Sequence, residues 1–359
     1  MHCEELFSGF IFEMLFVLMT SWLITQMILP RLSNIASKIG LMDHPEMRKM
    51  HDEPKPLVGG IGIVTGVAIS SLLFVPLMNF RGFYAGIVLL LIAGFLDDFK
   101  ELDHKWKFIV QIVAVGLMIH FSNAVIYSFG DLVSYGPITF KRLGLFVTVF
   151  AAIGVINSIN MIDGLDGLAG GVSLIAFLSF ALLALIDNNP ALVLLSFAFC
   201  GALVAFLAYN WSPASLFMGD AGSISLGFAL TFVAITITQG EASNIPPVAP
   251  LLILAVPIVD TLTVMLRRML KGKSAFEPDT SHIHHILLRL GISKERAVLM
   301  ILGINLIFSA IAVAGVMMGI PEHYMFTIFV LYFVAYFITS FYRKRIIKYR
   351  MSNGIVSKT

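Results

Sequence analysis

The sequence predicts an all-α protein, a polytopic membrane bundle of about 11 transmembrane helices. Of its 359 residues, 58% are hydrophobic and only 13% are charged, and a soluble domain cannot bury that much apolar surface. Apolar runs of about 17–25 residues, the length that crosses a bilayer, recur along the whole chain. The polar residues are gathered into short clusters between these runs. We therefore expect one integral membrane domain over residues 1–359.

Eleven apolar runs account for the predicted spans. The third and fourth are short, so re-entrant segments are an alternative for them. The first run is preceded by Glu4 and Glu5 and by no Lys or Arg, which is the wrong start for a cleaved signal peptide, so we expect it to remain as a span. Residues 124–142, rich in β-branched and aromatic residues, could form a short hairpin outside the membrane. The spans are expected near residues 10–29, 58–78, 82–96, 107–122, 143–159, 167–186, 190–209, 222–239, 248–266, 297–318 and 323–342.

The basic residues predict the orientation of the bundle. With the N-terminus outside, the outer segments hold only Arg81, Lys141 and Arg142 of the 24 Lys and Arg residues. All other basic residues then lie on the cytoplasmic side, as the positive-inside rule requires. An odd number of spans places the C-terminus inside, and nearly all the polar clusters fall on the cytoplasmic face. We therefore expect a site on that face, and no nucleic-acid partner.

The most informative polar cluster reads NSINMIDGLDGLAGG and covers residues 157–171. Asn157, Asn160, Asp163 and Asp166 recur every three residues, so on a helix they would lie along one edge. The glycines that follow let a backbone or a ligand approach closely. Carboxylates and amides beside glycines at a membrane boundary suit a divalent cation and a phosphate. The alternative is a polar loop between two spans, which would not need this spacing.

Four further acidic residues stand at or within apolar runs. Asp97 and Asp98 end the third run and are followed by Lys107. Adjacent acids there are costly unless solvated or bound to cations, so a solvated loop and a metal–phosphate site are equal alternatives. Asp220 stands among small residues where a later run begins, and by local pattern alone a helix N-cap is favoured over a metal ligand. Asp260 lies within a span and is either functional or the partner of an arginine two turns later.

Two basic clusters suggest anion binding. His282, His284 and His285 lie in a basic loop with Arg289. Structural zinc usually needs Cys or a fuller ligand set, so we expect phosphate contacts from these imidazoles.

The second basic cluster comprises Arg48, Lys49 and His51, ahead of a glycine-rich helix start at residues 59–62. The N–H groups at a helix N-terminus hold anions. A stiff connector that obeys the positive-inside rule is an equal alternative.

Together these motifs resemble the polyprenyl-phosphate N-acetylhexosamine-1-phosphate transferases. The ordered set is RKMHDEPKPLVGG, LDDFKEL, NSINMIDGLDGLAGG, FMGDAGS and HIHHILLRLG, and it spans nearly the whole chain. The form with Ile283 between His282 and His284 is similar to the bacterial WecA/TagO branch. Relatives that move phospho-MurNAc-pentapeptide usually carry three consecutive histidines there. His104 departs from the family pattern, in which Pro often follows the acidic motif.

The resemblance implies a reaction in the bacterial inner (cytoplasmic) membrane. A UDP-N-acetylhexosamine, expected to be UDP-GlcNAc, gives its sugar 1-phosphate to undecaprenyl phosphate and releases UMP, the first membrane step of cell-envelope polysaccharide synthesis. Mg²⁺ is the implied cofactor with Mn²⁺ as a substitute, and a homodimer is compatible with the family. The alternatives are UDP-MurNAc-pentapeptide, UDP-GalNAc or UDP-FucNAc as donor, or an ion-coupled transporter. The transporter is disfavoured because the acids cluster at one interface and no internal repeat is visible.

The resemblance also implies roles for individual residues. The metal ligands would be Asp220 and Asn160. The catalytic carboxylates would be Asp97 and Asp98, which orient or deprotonate the lipid phosphate, and Asp163 and Asp166, which contribute to nucleotide or metal binding. The substrate-binding residues would be Lys107, Asn157, His282, His284, His285, Arg289, Arg48, Lys49 and His51.

Elementary chemistry agrees with these roles. A lipid phosphate must approach a pyrophosphate that is itself negative, so metal charge and cationic side chains must screen the repulsion. A phosphate monoester has a second pKa of about 6, so a general base adds less than it would for an alcohol. One direct displacement and a covalent intermediate on an aspartate are both open.

Overall fold

The computed structural model describes residues 2–44, 53–100, 102–240, 243–274 and 282–352, and most of them are helical. The helices are α1 (His2–Ile39), α2 (Gly59–Leu72), α3 (Leu77–Lys100), α4 (His104–Ser122), α5 (Gly144–Ile162), α6 (Leu168–Ile186), α7 (Pro190–Asn210), α8 (Gly219–Gln239), α9 (Val248–Ile253), α10 (Ala255–Met269), α11 (Ile283–Arg289), α12 (Lys294–Met317) and α13 (Glu322–Ser352). A short antiparallel ribbon pairs β1 (Met42–Asp43) with β2 (Lys55–Pro56). A 3₁₀ turn over Lys141–Leu143 precedes α5.

All eleven predicted apolar runs are helical, but two of them are short or divided. Within the described ranges, nine helices are long and apolar enough to cross a membrane, including α3 and α4. α2 has only 14 residues, and the ninth run is divided at Leu254 into α9 and α10. Pro257 explains the division, because it has no N–H for the carbonyl of Ile253 and its ring crowds that carbonyl. The helical membrane bundle is confirmed, whereas the count of 11 and the N-out, C-in orientation stay predictions.

The centre of the bundle is formed by α7 and α8. α7 packs against α1, α2 and α6, and α8 packs against α3 and α5. Their inward faces carry buried aromatic rings. Phe177 and Phe199 stack with ring centroids 4.3 Å apart, and Phe83 and Phe228 stack at 6.2 Å. Large buried rings of this kind dominate core energetics, so this region anchors the helix ends that carry the polar clusters.

Glycines bring the start of α2 into contact with the start of α8. A Cβ on Gly60 would lie 2.2 Å from the Gly222 Cα, so only glycine fits at this approach. The N–H groups of Gly59 and Gly60 donate to the carbonyls of Phe217 and Met218 at 2.9 Å. These two donors are therefore used inside the protein. The structure favours the connector over the anion-binding interpretation of this helix start.

A hairpin outside the helices matches the expectation for residues 124–142. Ser128 and Thr139 form an antiparallel bridge, and the Phe129 N–H donates to the Ile138 carbonyl at 3.0 Å. The Gln239 side chain at the end of α8 accepts from the N–H groups of Tyr127 and Ser128 at 2.9 and 3.1 Å. The hairpin is thereby attached to the helix that carries Asp220 at its other end.

Candidate active site

Most of the predicted site residues line one cavity of about 880 Å³. It lies where the ends of α3, α4, α5, α7, α8, α11 and α12 meet, and the motifs that line it come from segments widely separated in the sequence. Such a concave site with converging polar groups is the usual form of a small-molecule site. The predicted residues among its lining are Asp97, Asp98, Lys107, Asn160, Asp163, Asp166, Asp220, His284 and His285.

Asp220 receives two donors from other helices. It is the second residue of α8, after Gly219, whose φ of +73° is a left-handed conformation that favours glycine. Its carboxylate accepts from Asn160 Nδ2 at 2.9 Å and from Lys107 Nζ at 3.0 Å. The N-cap interpretation of Asp220 is therefore wrong, because its side chain points to neighbouring helices and not to its own helix N-terminus.

Asp98 supplies the cap that α8 lacks. The N-cap residue Met218 makes no side-chain cap hydrogen bond. Instead, the two carboxylate oxygens of Asp98 accept from the N–H groups of Asp220 and Ala221 at 2.7 and 3.1 Å. The first N–H groups of a helix need such partners, and a negative charge at this end is favoured by the helix dipole. Asp98 thus holds α8 against the end of α3.

Asp97 and Lys107 form an ion pair at the same end of α3. Asp97 Oδ2 is in direct contact with Lys107 Nζ, and Asp97 Oδ1 accepts from the Leu102 N–H at 2.7 Å. Lys107 therefore lies against two carboxylates, those of Asp97 and Asp220. The Asp97 side chain is only 6% exposed, whereas that of Lys107 is 30% exposed. The lysine is placed to meet an anion in the cavity.

The polar cluster at residues 157–171 begins in α5 and continues beyond its end. It does not form the single helical edge that its spacing predicted. α5 ends at Ile162, and Asp163 is its C-cap with non-helical backbone angles. Asp166 lies in the following turn and accepts from the Ala214 N–H at 3.0 Å. Asn157 donates to Gln111 Oε1 at 2.9 Å and lines a separate cavity of about 40 Å³ beside the main one. The end of α5 at Ile162 takes Asp163 and Asp166 off the helical edge, although both line the main cavity together with Asn160.

The electrostatics of Asp163 identify the cavity as an acidic environment. Removal from water, together with the negative charges of Asp220 and Asp166, raises the pKa of the Asp163 carboxyl to about 7. A carboxyl group whose pKa is shifted by burial and by neighbouring charges in a cleft is a feature of functional sites. A cation in this cavity would relieve the repulsion between them.

His284 and His285 reach the cavity, and His282 does not line it. His284 is buried over Gly164, where a Cβ would lie 2.4 Å from the imidazole Nε2. Burial, with the nearby positive form of His285, lowers the pKa of His284 to about 3. At neutral pH it can therefore donate one hydrogen bond but contributes no charge. His282 is 6% exposed, and its Nδ1 lies 2.8 Å from Asp260 Oδ2. His282 is thus buried against Asp260 outside the cavity lining, and its predicted substrate contact stays a prediction.

The other basic residues that were predicted to bind substrate are not found in the cavity lining that the structure describes. Arg289, at the end of α11, is exposed and lies outside the cavity lining. Arg48, Lys49 and His51 lie outside the residues that the structure describes. The predictions for these three residues are untested.

Sequence reasoning missed several residues of the cavity lining. They include His44, Asp103, His104, Ser212 and Lys294. Lys294 was counted only as a cytoplasmic positive charge, although its position at the start of an apolar run could have marked it. His104 was noted only as a departure from a family pattern. No local signal distinguishes His44 or Ser212, since both are brought to the cavity by the packing of their neighbours.

The donor groups fit Mg²⁺ better than zinc. Within the part of the chain that the structure describes, no group of three or more His, Cys, Asp or Glu side chains could by itself hold a metal. Mg²⁺ does not need one, because one or two carboxylates with waters and substrate phosphates usually complete its shell. Asp220, Asp97 and the Asn160 amide offer oxygen atoms in one cavity. The two carboxylates already share the ammonium group of Lys107, so they attract positive charge.

Comparison with known proteins identifies the family. Residues 80–238 match the family described as glycosyl transferase family 4. The chain is 32% identical to the undecaprenyl-phosphate alpha-N-acetylglucosaminyl 1-phosphate transferase of Salmonella typhi over 341 residues, which cover 93% of this chain and 89% of the relative. The enzyme of the same name from Pasteurella multocida is 36% identical over 308 residues, or 84% and 86% of the two chains. The resemblance that the motifs indicated is confirmed: the chain belongs to the family of the undecaprenyl-phosphate alpha-N-acetylglucosaminyl 1-phosphate transferases.

Proposed function

We propose that this chain transfers GlcNAc 1-phosphate from UDP-GlcNAc to undecaprenyl phosphate. A lipid phosphate oxygen forms a bond to the sugar-side phosphorus of the donor. The bond from that phosphorus to the bridging oxygen breaks, and UMP leaves with the bridging oxygen. The names of the relatives support the acceptor and the transferred group. UDP as the carrier of the sugar phosphate is our inference from the motifs.

The observation that carries the proposal is the group formed by Lys107, Asp220 and Asn160 at the cavity. Lys107 Nζ and Asn160 Nδ2 hold the two oxygens of the Asp220 carboxylate at 3.0 and 2.9 Å. A pyrophosphate brings negative charge into a site that is already acidic. Positioned cations and hydrogen-bond donors are then the main source of rate enhancement. Lys107 is the cationic side chain best placed to supply this charge, because it reaches the acidic group and is partly exposed to the cavity.

We propose Mg²⁺ as the cofactor, with Mn²⁺ as a substitute, held by Asp220 and Asn160. When bound, the ion would neutralise charge on the transferred phosphate and polarise its phosphorus–oxygen bonds. The chain's own residues would do the rest. Lys107 would hold the pyrophosphate, and His284 and His285, which line the same cavity, would donate hydrogen bonds to it. Because the lipid phosphate is mostly dianionic at neutral pH, Asp97 would orient it more than deprotonate it.

We propose that the cavity opens to the cytoplasm of a bacterial cell, in the inner membrane, with the N-terminus outside and the C-terminus inside. The distribution of Lys and Arg supports this orientation, and the donor nucleotide would then be drawn from the cytoplasm. A homodimer is the assembly we expect, and light scattering of the detergent-solubilised protein would test it.

The test uses purified protein in detergent with undecaprenyl phosphate, Mg²⁺ and a panel of UDP-sugars, and identifies the released nucleotide by chromatography. UMP released only when lipid phosphate and UDP-GlcNAc are both present is the expected result. UDP would mean that the glycosyl bond is cut and would overturn the proposal. Release of UMP with a different UDP-sugar alone would keep the reaction and change the donor.

Asp220→Asn is the variant that tests the proposed metal site. We expect turnover to fall at least about 100-fold, because the amide supplies less charge to a bound cation, while the protein remains folded in the membrane. Kinetics and a thermal melt of the purified variant would check both parts. Near-normal turnover would show that Asp220 is not a metal ligand.

A further inference from the structure

A second buried carboxylate organises the histidine segment. Asp260, in the middle of α10, is only 2% exposed. Its Oδ2 lies 2.8 Å from His282 Nδ1, and its Oδ1 accepts from the Ile283 N–H at 2.9 Å and from the Tyr336 hydroxyl at 2.5 Å. The His282 tautomer with the proton on Nδ1 is the one that donates to a carboxylate in this contact. Three hydrogen-bonding groups from two other elements thus converge on one side chain.

These contacts attach α11 to the bundle at its first turn. His282, the N-cap of α11, makes no side-chain cap hydrogen bond of its own. Asp260 accepts from the N–H of Ile283, the first residue of α11, and so supplies the missing cap from another helix. Burying a carboxylate is costly unless its oxygens are satisfied. The burial of the Asp260 carboxylate is therefore expected to hold the start of α11 in one definite position.

The position matters because α11 carries the histidines that line the cavity. The rings of His282 and His284 are nearly parallel, with centroids 6.1 Å apart, and the His285 ring follows at 4.2 Å. The imidazole of His284 lies directly over Gly164, in the turn that holds Asp163 and Asp166. A shift of His282 would therefore move His284 away from the acidic turn.

We propose that Asp260 and Tyr336 are positioning residues, which fix His282 and thereby set His284 and His285 in the cavity. His282 is then a structural link and does not contact substrate. The kinetic consequence rests on the proposed transfer reaction, whereas the placement of His284 does not. Neither Asp260 nor Tyr336 lines the cavity, so their effect on turnover must pass through α11.

The test compares Asp260→Asn and the milder Tyr336→Phe with a matched control, Ser340→Ala. Ser340 lies one turn after Tyr336 and accepts a hydrogen bond from Arg267 at 2.8 Å, which also joins α10 to α13 but does not involve α11. Tyr336→Phe removes one donor to Asp260 and leaves the other two. Each purified full-length protein would be treated with diethyl pyrocarbonate, and carbethoxylation of His284 would be located by tandem mass spectrometry. The kcat and KM for the UDP-sugar and the Tm would be measured in parallel.

We expect His284, which is 2% exposed in the intact protein, to be modified at least about 10-fold faster in Asp260→Asn and severalfold faster in Tyr336→Phe. Misplacement of binding groups by about 1 Å can cost about 100-fold in rate, so kcat/KM should fall by up to that factor in Asp260→Asn. Ser340→Ala should stay within about twofold of the parent in both measurements, whatever its Tm.

Two outcomes would overturn the proposal. One is unchanged protection of His284 in a folded Asp260→Asn protein. The other is an equal loss of protection in Ser340→Ala, which would mean that any loosening of α10 against α13 frees the histidines. If the parent protein released no UMP, the proposed function would fail, but the modification experiment would still decide the placement of α11.

Discussion

At the scale of single residues, the dominant feature is one ammonium group between two carboxylates. Lys107 Nζ contacts Asp97 and Asp220, which come from different helices. Two carboxylates at a membrane boundary repel each other and resist desolvation, so a shared cation stabilises both. A divalent cation bound to Asp220 would stabilise this carboxylate in the same way, with a larger positive charge. Lys107 and the proposed metal ion would therefore both stabilise the Asp220 carboxylate.

Replacement of Lys107 tests this account. We expect Lys107→Met to lower the free energy of unfolding without divalent ions by about 1–3 kcal/mol, less than for a fully buried pair because the lysine is partly exposed. Added Mg²⁺ should raise the Tm of this variant more than that of the parent. Thermal melts with and without Mg²⁺ measure both effects. Lys105→Met, at an exposed position of the same helix, is the control and should change little. A Lys107→Met protein that melts like the parent would contradict the account.

At the scale of elements, two helices of the site start without caps of their own. α8 and α11 have N-cap residues that make no side-chain cap hydrogen bond. Asp98 of α3 and Asp260 of α10 accept from their first N–H groups instead. A cap borrowed from another helix joins two elements with charge-assisted hydrogen bonds. These contacts between helix ends hold the starts of α8 and α11 at the site.

Asp98→Asn tests the cap on α8. The amide keeps one acceptor but turns an N–H₂ group toward backbone donors, so we expect a loss of about 1–2 kcal/mol in stability. The kcat should fall more than the affinity for the UDP-sugar, because Asp220 is one of the two capped residues. Melts and steady-state kinetics check the two parts. Asp103→Asn is a control for stability, since Asp103 caps its own helix α4 at an exposed position and Asn caps equally well. Unchanged stability in Asp98→Asn would argue against the capping role.

Gly60→Ala tests the contact between α2 and α8. A Cβ at Gly60 would lie 2.1 Å from the nitrogen and 2.2 Å from the Cα of Gly222. Both of these are backbone atoms, which cannot rotate away as a side chain could. Overpacking of this kind costs about 1–3 kcal/mol, and we expect turnover to fall with it because Asp220 lies on the displaced helix. Gly303→Ala, in α12 with no atom near its Cβ position, should be neutral or stabilising. Equal Tm values for Gly60→Ala and Gly303→Ala would contradict a close contact between α2 and α8 that only glycine permits.

At the scale of the whole molecule, the polar ends of seven helices meet at one cavity while the outer surfaces stay apolar. α1 and α13 expose large hydrophobic side chains such as Phe12, Phe16, Leu331 and Phe341, which is the surface a lipid-facing helix presents. The charged groups of the cavity come from the ends of the candidate spans and from the segments that connect them, and not from the middles of the spans. The soluble nucleotide donor and the lipid phosphate acceptor that we propose would meet at such a boundary.

Thiol labelling tests the orientation of the bundle. Asn188→Cys, between α6 and α7, should react with a membrane-impermeant maleimide in intact cells, because we expect that turn to face outward. Lys273→Cys, after α10, should react only after the membrane is opened. Cys200 is buried and should stay unlabelled, and Cys3 would be replaced by Ser. The reverse pattern would invert the bundle and place the cavity outside the cytoplasm.

Particular residues show how far sequence reasoning reached. The Asp220, Asn160 and Lys107 motifs were expected to act together, and the structure brings them within hydrogen-bonding distance; their chemical roles stay predictions. The expected helical edge from Asn157 to Asp166 was wrong, because periodicity does not reveal that α5 ends at Ile162. His282 was grouped with its neighbours, although adjacent side chains on a helix start point in different directions.

The order of apolar runs, the bias of basic residues and the spaced motifs were enough to establish a membrane bundle and its family, because hydrophobic length and local spacing are properties of the chain itself. The partners of Asp98 and Asp260 were not available from that information. Asp98 accepts from a residue 122 positions away, and Asp260 from residues 22 and 23 positions later. A hydrogen bond requires two atoms to come within about 3 Å of each other in space. Only the packing of helix ends therefore decides which carboxylate caps a helix and which one contacts a cation.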